Sequence, residues 1–242
     1  MRLSLPSKIL RLALGSAALL TTVPALAAGH AHDNGYTALH ARAVQAGQAF
    51  RARIPQADLE WQHDQAGVHM ILDLDLPLAG EALAQRGEGF LRANEALIGV
   101  PAAQLRLVRT TPTKQRTVLR YQQVATVAGR DLHVLDGELT LTFDNANGHL
   151  LRLVNSAKPV LNLVAGTLTR EAAVAKAAQA LAGATFARGL ADAATEAVIA
   201  PRSGARHVWV VHVPGATLKD LHSLAVDAET GAVTRLPNRI HD

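Results

Sequence analysis

The chain has eleven histidines and no cysteine, and that pairing limits the chemistry open to it. A thermolysin-type zinc centre needs two histidines four residues apart on one helical face, a glutamate between them as base and a further carboxylate ligand. No His-Glu-x-x-His occurs in the 242 residues. Without cysteine, a thiolate nucleophile and a disulfide framework are both excluded. Beyond residue 27 the only serines are Ser156, Ser203 and Ser223, and none stands in a Gly-x-Ser-x-Gly elbow. A Walker-type phosphate loop is absent as well. These residues predict a non-catalytic protein that requires no cofactor. A hydrolase reading would need a concave pocket with convergent titratable groups, which a sequence does not display.

Several polar clusters invite a reading of their own. His63 and His69 sit in or beside a strand, where six residues span ~20 Å, too far to share a metal. They read as solvated or hydrogen-bonded strand residues. His207 and His212 differ by an odd number in one strand and face opposite ways, with His212 expected against the core as a satisfied structural histidine. Asp73 and Asp75 are expected on one strand face, as are Glu138, Thr140 and Thr142, and solvation explains both sets. Asp227, Glu229, Thr230 and Gly231 read as a turn before a last strand, with Gly231 allowing positive φ, rather than as a calcium loop. A chain cleaved after Ala27 would begin Ala28-Gly29-His30. An α-amine, two amide nitrogens and an imidazole there form a tetragonal set suited to Cu(II) or Ni(II). An unstructured polar terminus is the simpler reading.

That cleavage is itself an expectation. Arg2, Lys8 and Arg11 precede an apolar run from Leu12 to Val23, and Ala25-Leu26-Ala27 follows, the order of a secretory signal over residues 1–27. The run is shorter than the ~20 apolar residues of a membrane span. The mature chain is therefore expected to be secreted or periplasmic, with no membrane span. Losing the segment removes three of the 24 basic residues and none of the 20 acidic ones, so formal charge falls from +4 to +1. With no basic run and only 3% aromatic residues, the composition argues against a nucleic-acid partner.

The elements that must position these residues follow from periodicity. Leu39, Ala43, Ala46 and Phe50 predict a helix over Tyr36–Arg53. Alternation predicts one strand from Trp61 to Pro77, with Val68, Met70, Leu72, Leu74 and Leu76 on one side and Ile71 as an exception. A second helix is predicted over Gly80–Ile98, its first half weakened by Gly87 and Gly89, with Gly99 and Pro101 as stops. Four strands follow near 105–110, 117–127, 133–143 and 149–155 as a half-buried antiparallel meander. Thr169 caps a further helix whose stripe is Val174, Ala177, Ala178 and Leu181, closed by Gly183. Strands near 196–200, 207–213, 221–227 and 232–236 complete the pattern. Helix then antiparallel strands, occurring twice, predicts an α+β fold of two modules, each a sheet packed against a helix. The expected division is 1–27, 28–79, 80–158 and 165–242.

The stretches GFLRANEALIGVPAAQLRLVR, VLRYQQ and GELTLTFDNANGHLLRLVNS resemble the fungalysin/thermolysin propeptide module, over about residues 80–156. LTREAAVAKAAQAL, HVWVVHVPG and LAVDAETGAVTRL resemble the PepSY module that follows it in propeptides of thermolysin-like metalloproteases, over about 167–236. The resemblance implies a folding chaperone and inhibitor of a zinc peptidase. Since this chain stops at Asp242, it implies action in trans on a secreted thermolysin-like metallopeptidase, with Arg239-Ile240-His241-Asp242 as a candidate contact in the peptidase cleft. The other reading is an envelope-associated binding or structural module with another protein partner. The sequence departs from the family where a short connection after the Gln pair becomes VATVAGRDLHVLDG, Val124 to Gly137, so no family contact through that loop carries over.

Overall fold

The first helix forms where its small and aromatic residues fall on one side. The computed structural model describes residues 35–62, 65–181, 194–213 and 222–237. Helix α1 (Tyr36–Arg53) has its expected bounds and buries Tyr36, Ala43, Gly47 and Phe50. Gly47 is tight: a Cβ there would lie 2.9 Å from the Trp61 ring, so α1 rests directly on that indole.

The single strand expected over Trp61–Pro77 is instead two, β1 (Asp58–Trp61) and β2 (Val68–Leu72), paired antiparallel. A bulge sets Trp61 opposite Val68 but Glu60 opposite Met70, and the inserted residue inverts the alternation. Val68 and Ile71 are therefore buried, while Met70 and Leu72 are only partly so. Ile71, the sequence exception, is the core residue. Asp73 then adopts φ 53 and ends the strand, so Asp73 and Asp75 do not share a strand face as expected. Leu74 returns to the core beyond this turn.

The expected helix over 80–98 breaks at Asn94 into α2 (Leu83–Ala93) and α3 (Glu95–Ile98), with the Asn94 amide donating to the Phe90 carbonyl at 2.8 Å. Gly87, which weakened the sequence pattern, is the point of closest approach. A Cβ there would press on the Tyr121 phenol oxygen and the Leu119 and Leu141 methyls, so glycine lets α2 lie on the sheet.

The meander is β3 (Leu105–Pro112), β4 (Arg116–Val127), β5 (Arg130–Asp144) and β6 (Leu150–Asn155), giving the order β1-β2-β6-β5-β4-β3. Leu139, Leu141 and Phe143 point inward as expected and pack with Leu119, Tyr121 and Leu153 against Phe50, Phe90 and Leu97. Burying each such side chain contributes about 1.5–3 kcal/mol before entropy is counted. Asn155, fully buried, ties three elements together. Its amide donates to the Val68 carbonyl at 2.8 Å and the Ile98 carbonyl at 3.0 Å, and its oxygen accepts from Ala157 N at 2.9 Å.

In the second half, Thr169 caps α4 (Arg170–Ala180) by accepting from Ala172 N at 3.3 Å. The helix buries Ala173 and Ala177, with Val174 and Leu181 partly buried, so Ala173 takes the place expected for Ala178. It packs on β8 (Arg206–Val213), β9 (His222–Asp227) and β10 (Val233–Arg235), which with β7 (Thr195–Ile199) form the second sheet, through Trp209, Val211, Val213, Leu224 and Val226. The fold is α+β. The two sheets join by one parallel contact, Val134 opposite Val198, between β5 and β7.

Two glycines test the close approaches. A Cβ on Gly67 would overlap the Ile98 carbonyl, whereas one on Gly89, inside α2, meets nothing within 4 Å. Gly67→Ala is expected to lose about 3 kcal/mol or more. Gly89→Ala is expected to gain roughly 0.5–1 kcal/mol from helix entropy. Urea denaturation midpoints read both.

Candidate functional site

The β4–β5 hairpin, whose connection runs from Val124 to Gly137, is built around a break in its own ladder. β4 and β5 pair up to Gln122 opposite Glu138, then resume with Val124 opposite His133, leaving Gln123 to face the residues 134–137. Asp136 adopts φ 63 within this loop-out. Gln122 Nε2 donates to the Val134 and Gly137 carbonyls, each at 3.0 Å, which holds the loop shut. A Cβ on Gly137 would come within 2.6 Å of Gln123 Oε1, so residue 137 lacks a side chain where Gln123 crosses it. Gln123 is fully buried, and its oxygen accepts from Lys158 N at 2.9 Å. Its nitrogen donates to the Lys158 carbonyl at 2.6 Å and to Gln104 Oε1 at 3.1 Å.

Past this break the hairpin reaches the second sheet. Ala128 (φ 48) and Gly129 (φ 79) are both left-handed at its tip, the backbone of a two-residue turn that follows strand twist. Ala125, Val127, Leu132 and Val134 pack on Val198, Ala200 and Ala205. Arg130 donates to Glu196 through both terminal guanidinium nitrogens, Nη1 to Oε2 and Nη2 to Oε1, the latter at 2.9 Å.

Where β5 leaves β7 after residue 134, a groove of about 660 Å³ opens over the face of the second sheet that α4 does not cover. Val210, Ile199, Leu135 and Leu236 give it an apolar floor. Asp136, Glu138, Lys158 and Arg206 bring charge of both signs to its walls, beside His133 and His212. His212 Nδ1 lies 2.9 Å from Ser223 Oγ, directly across the β8–β9 ladder. A Ser–His nucleophile also needs a group that orients the imidazole. Among the described residues, no hydrogen bond holds the other ring nitrogen of His212.

A second polar cluster lies beneath the hairpin. His207 is 4% exposed, and its Nδ1 accepts from Gly166 N at 3.1 Å while Nε2 faces Glu196 Oε1 at 3.5 Å. Burial pushes this imidazole below the usual histidine range, and the neighbouring Glu196 carboxylate only partly opposes that. Asp227 sits nearby. Burial would raise its carboxyl, but the N–H groups of Thr230 (2.8 Å) and Glu229 (3.0 Å) hold it below the usual range. That pair of bonds, with Gly231 at φ 73, makes the expected turn. In the first core the Tyr121 phenol is pushed up to about 12 by burial and by Glu88.

The structure therefore sorts the sequence candidates. His207 and His212 face opposite ways as expected, but their environments are exchanged: His207 is buried and His212 exposed. The reason is that β8 turns residues 207, 209 and 211 toward Gly166 and α4, and 208 and 210 toward the groove floor. His69 is a hydrogen-bonded strand residue, Nδ1 to the Asn155 carbonyl at 2.8 Å. Asp75 pairs with His149 at 2.6 Å. Glu138 lies 3.9 Å from Arg120. Ala28, Gly29, His30, His63, Gly183 and the run Arg239, Ile240, His241, Asp242 lie outside the described residues. Among the described residues, no group of three or more His, Asp or Glu is placed to hold a metal ion, and no helix is long and apolar enough to cross a membrane. Sequence reading missed the groove because its floor and walls come from five strands. The longer connection at 124–137 was the one signal pointing to it.

No family model and no curated protein matches the chain. Among solved structures, the Bacillus megaterium YpeB C-terminal domain is similar at a TM-score of 0.32 and 11% identity, over 81% of this chain and 96% of that one. The likeness is compatible with a PepSY-like architecture at most. It does not reach the fungalysin/thermolysin propeptide, and at that score neither fold nor function follows from it.

Gln123 gives the site its sharpest test. Gln123→Leu keeps the side-chain volume but removes the partner of the half-buried Lys158 N–H and C=O, at about 0.5–1.5 kcal/mol for each hydrogen bond lost. The urea midpoint is expected to fall accordingly, and hydrogen exchange of the 124–134 hairpin to rise.

Proposed function

We propose that this chain is an exported, non-catalytic binding protein that acts in trans on a secreted thermolysin-like zinc metallopeptidase, as folding chaperone, inhibitor or both. The observation that carries the reading is the groove between the sheets. Its volume of about 660 Å³ lies within the ~300–1,000 Å³ of ligand sites, and an apolar floor with polar walls suits an extended stretch of partner chain. The residues that resemble a propeptide followed by a PepSY module supply the class of partner. The signal-like segment 1–27 supplies the compartment where it would be met. By contrast, the outward face of the first sheet sets Arg120, Glu138, Thr140, Thr142 and Arg152 among the half-buried Met70, Val118 and Val154.

The experiment refolds a denatured secreted thermolysin-like peptidase with and without the chain beginning at Ala28, then assays recovered activity and inhibition. Leu135→Asp and Leu236→Asp alter partly buried groove residues outside the two main cores. Each is expected to weaken inhibition roughly tenfold or more with little change in thermal midpoint. Unchanged inhibition by both variants removes the groove as the contact. A wild-type chain that neither rescues nor inhibits removes the peptidase, leaving a module for some other envelope protein. A chain lacking 239–242 that inhibits fully removes the carboxyl-end contact.

A further inference from the structure

The hairpin is latched to the second sheet through a carboxylate that a buried histidine also faces. Glu196 Oε1 accepts from Arg130 Nη2 at 2.9 Å and lies 3.5 Å from His207 Nε2. Because His207 Nδ1 accepts from Gly166 N, the neutral ring carries its proton on Nε2, which has no hydrogen-bond partner among the described residues. Gly166 cannot easily withdraw: a Cβ on it would overlap the Ala228 backbone, and Leu168 N donates to the Ala228 carbonyl at 2.9 Å. The charged groups around the ring are Arg130 on β5, Glu196 on β7, Asp227 on β9 and Arg206 on its own strand, which lies 3.9 Å from Asp227.

We propose that protonation of His207 is a switch that loosens the 124–134 hairpin from the second sheet and opens the groove. A proton on Nδ1 sets it against the Gly166 N–H, donor facing donor, and that bond is lost. The imidazolium then draws Glu196 Oε1 toward Nε2, in competition with Arg130. The bond that breaks holds the ring to the segment before α4, and the carboxylate that latches Arg130 is shared between two cations.

The sign follows from burial, which holds the folded imidazole below its unfolded value of about 6.5. The stabilisation is complete above about pH 6.5 and is lost as pH falls through the folded value. Regulation of binding rests on the groove reading above, whereas the switch itself does not.

Hydrogen exchange of peptides covering 124–134 and 195–199, at pH 7.5 and pH 5.0 and corrected for intrinsic rate, tests it. The wild-type chain is expected to lose about tenfold in protection at pH 5.0. His207→Gln, which can accept from Gly166 but cannot titrate, is expected to keep the same protection at both values. No loss in the wild type, or an equal loss in His207→Gln, overturns the switch. Should that variant fail to fold, the wild-type His207 ring resonances decide: their titration midpoint must coincide with hairpin opening, and a midpoint elsewhere overturns it. Peptidase inhibition at pH 7.5 is read separately. Its failure removes the groove reading and leaves the exchange result standing.

Discussion

The structure turns on one buried amide. Gln123, itself fully buried, bonds both backbone groups of the half-buried Lys158, and it does so from a position the β4–β5 ladder leaves open. An amide in a dry interior is strongly costly when unmatched and strongly orienting when matched. It therefore fixes where β5 must depart from β4 and where the strap after β6 must run. Asp136 in a left-handed conformation and a bare Gly137 are local consequences of that crossing.

From that crossing the rest of the second half follows. The hairpin beyond it has a small apolar face, Ala125, Val127, Leu132 and Val134, too small to stand alone in water, and it is buried on Val198 and its neighbours. Docking brings Arg130 to Glu196 and leaves β5 to diverge from β7, which is what hollows the groove. The groove is thus a by-product of joining two sheets by one parallel contact and then separating them. Its walls inherit charge of both signs because they come from strands whose other faces serve different cores.

Most elements were legible in the sequence because their signals are local. The bounds of α1, the inward face of β5 and the Thr169 cap each depend on residues within a few turns of one another. The misreadings have non-local causes. Ile71 is inward because of a bulge that exists only when β1 pairs with β2, and pattern alone places it outward. Asn94 breaks a helix whose first half is shaped by the Tyr121 ring of a distant strand. His207 and His212 were rightly set on opposite faces, but which face is dry depends on Gly166 and on the unpartnered face of a sheet. The longer connection at Val124–Gly137 was visible in the sequence, while its partner surface, with Glu196 66 residues beyond Arg130, was not.

Joined in this way, the 124–137 hairpin is expected to couple the two sheets into one cooperative structure, and the chain's two tryptophans report on it. Trp61 packs against α1 in the first half, and Trp209 donates to the Leu168 carbonyl at 2.8 Å in the second. Urea unfolding followed in Trp61→Phe and Trp209→Phe backgrounds, each with the natural hairpin and with residues 124–136 replaced by a short turn, is the direct measurement. Coincident transitions are expected with the hairpin present, and two separate ones once it is shortened. Transitions that stay coincident without the hairpin, or are already separate with it, would mean that the hairpin does not couple the sheets.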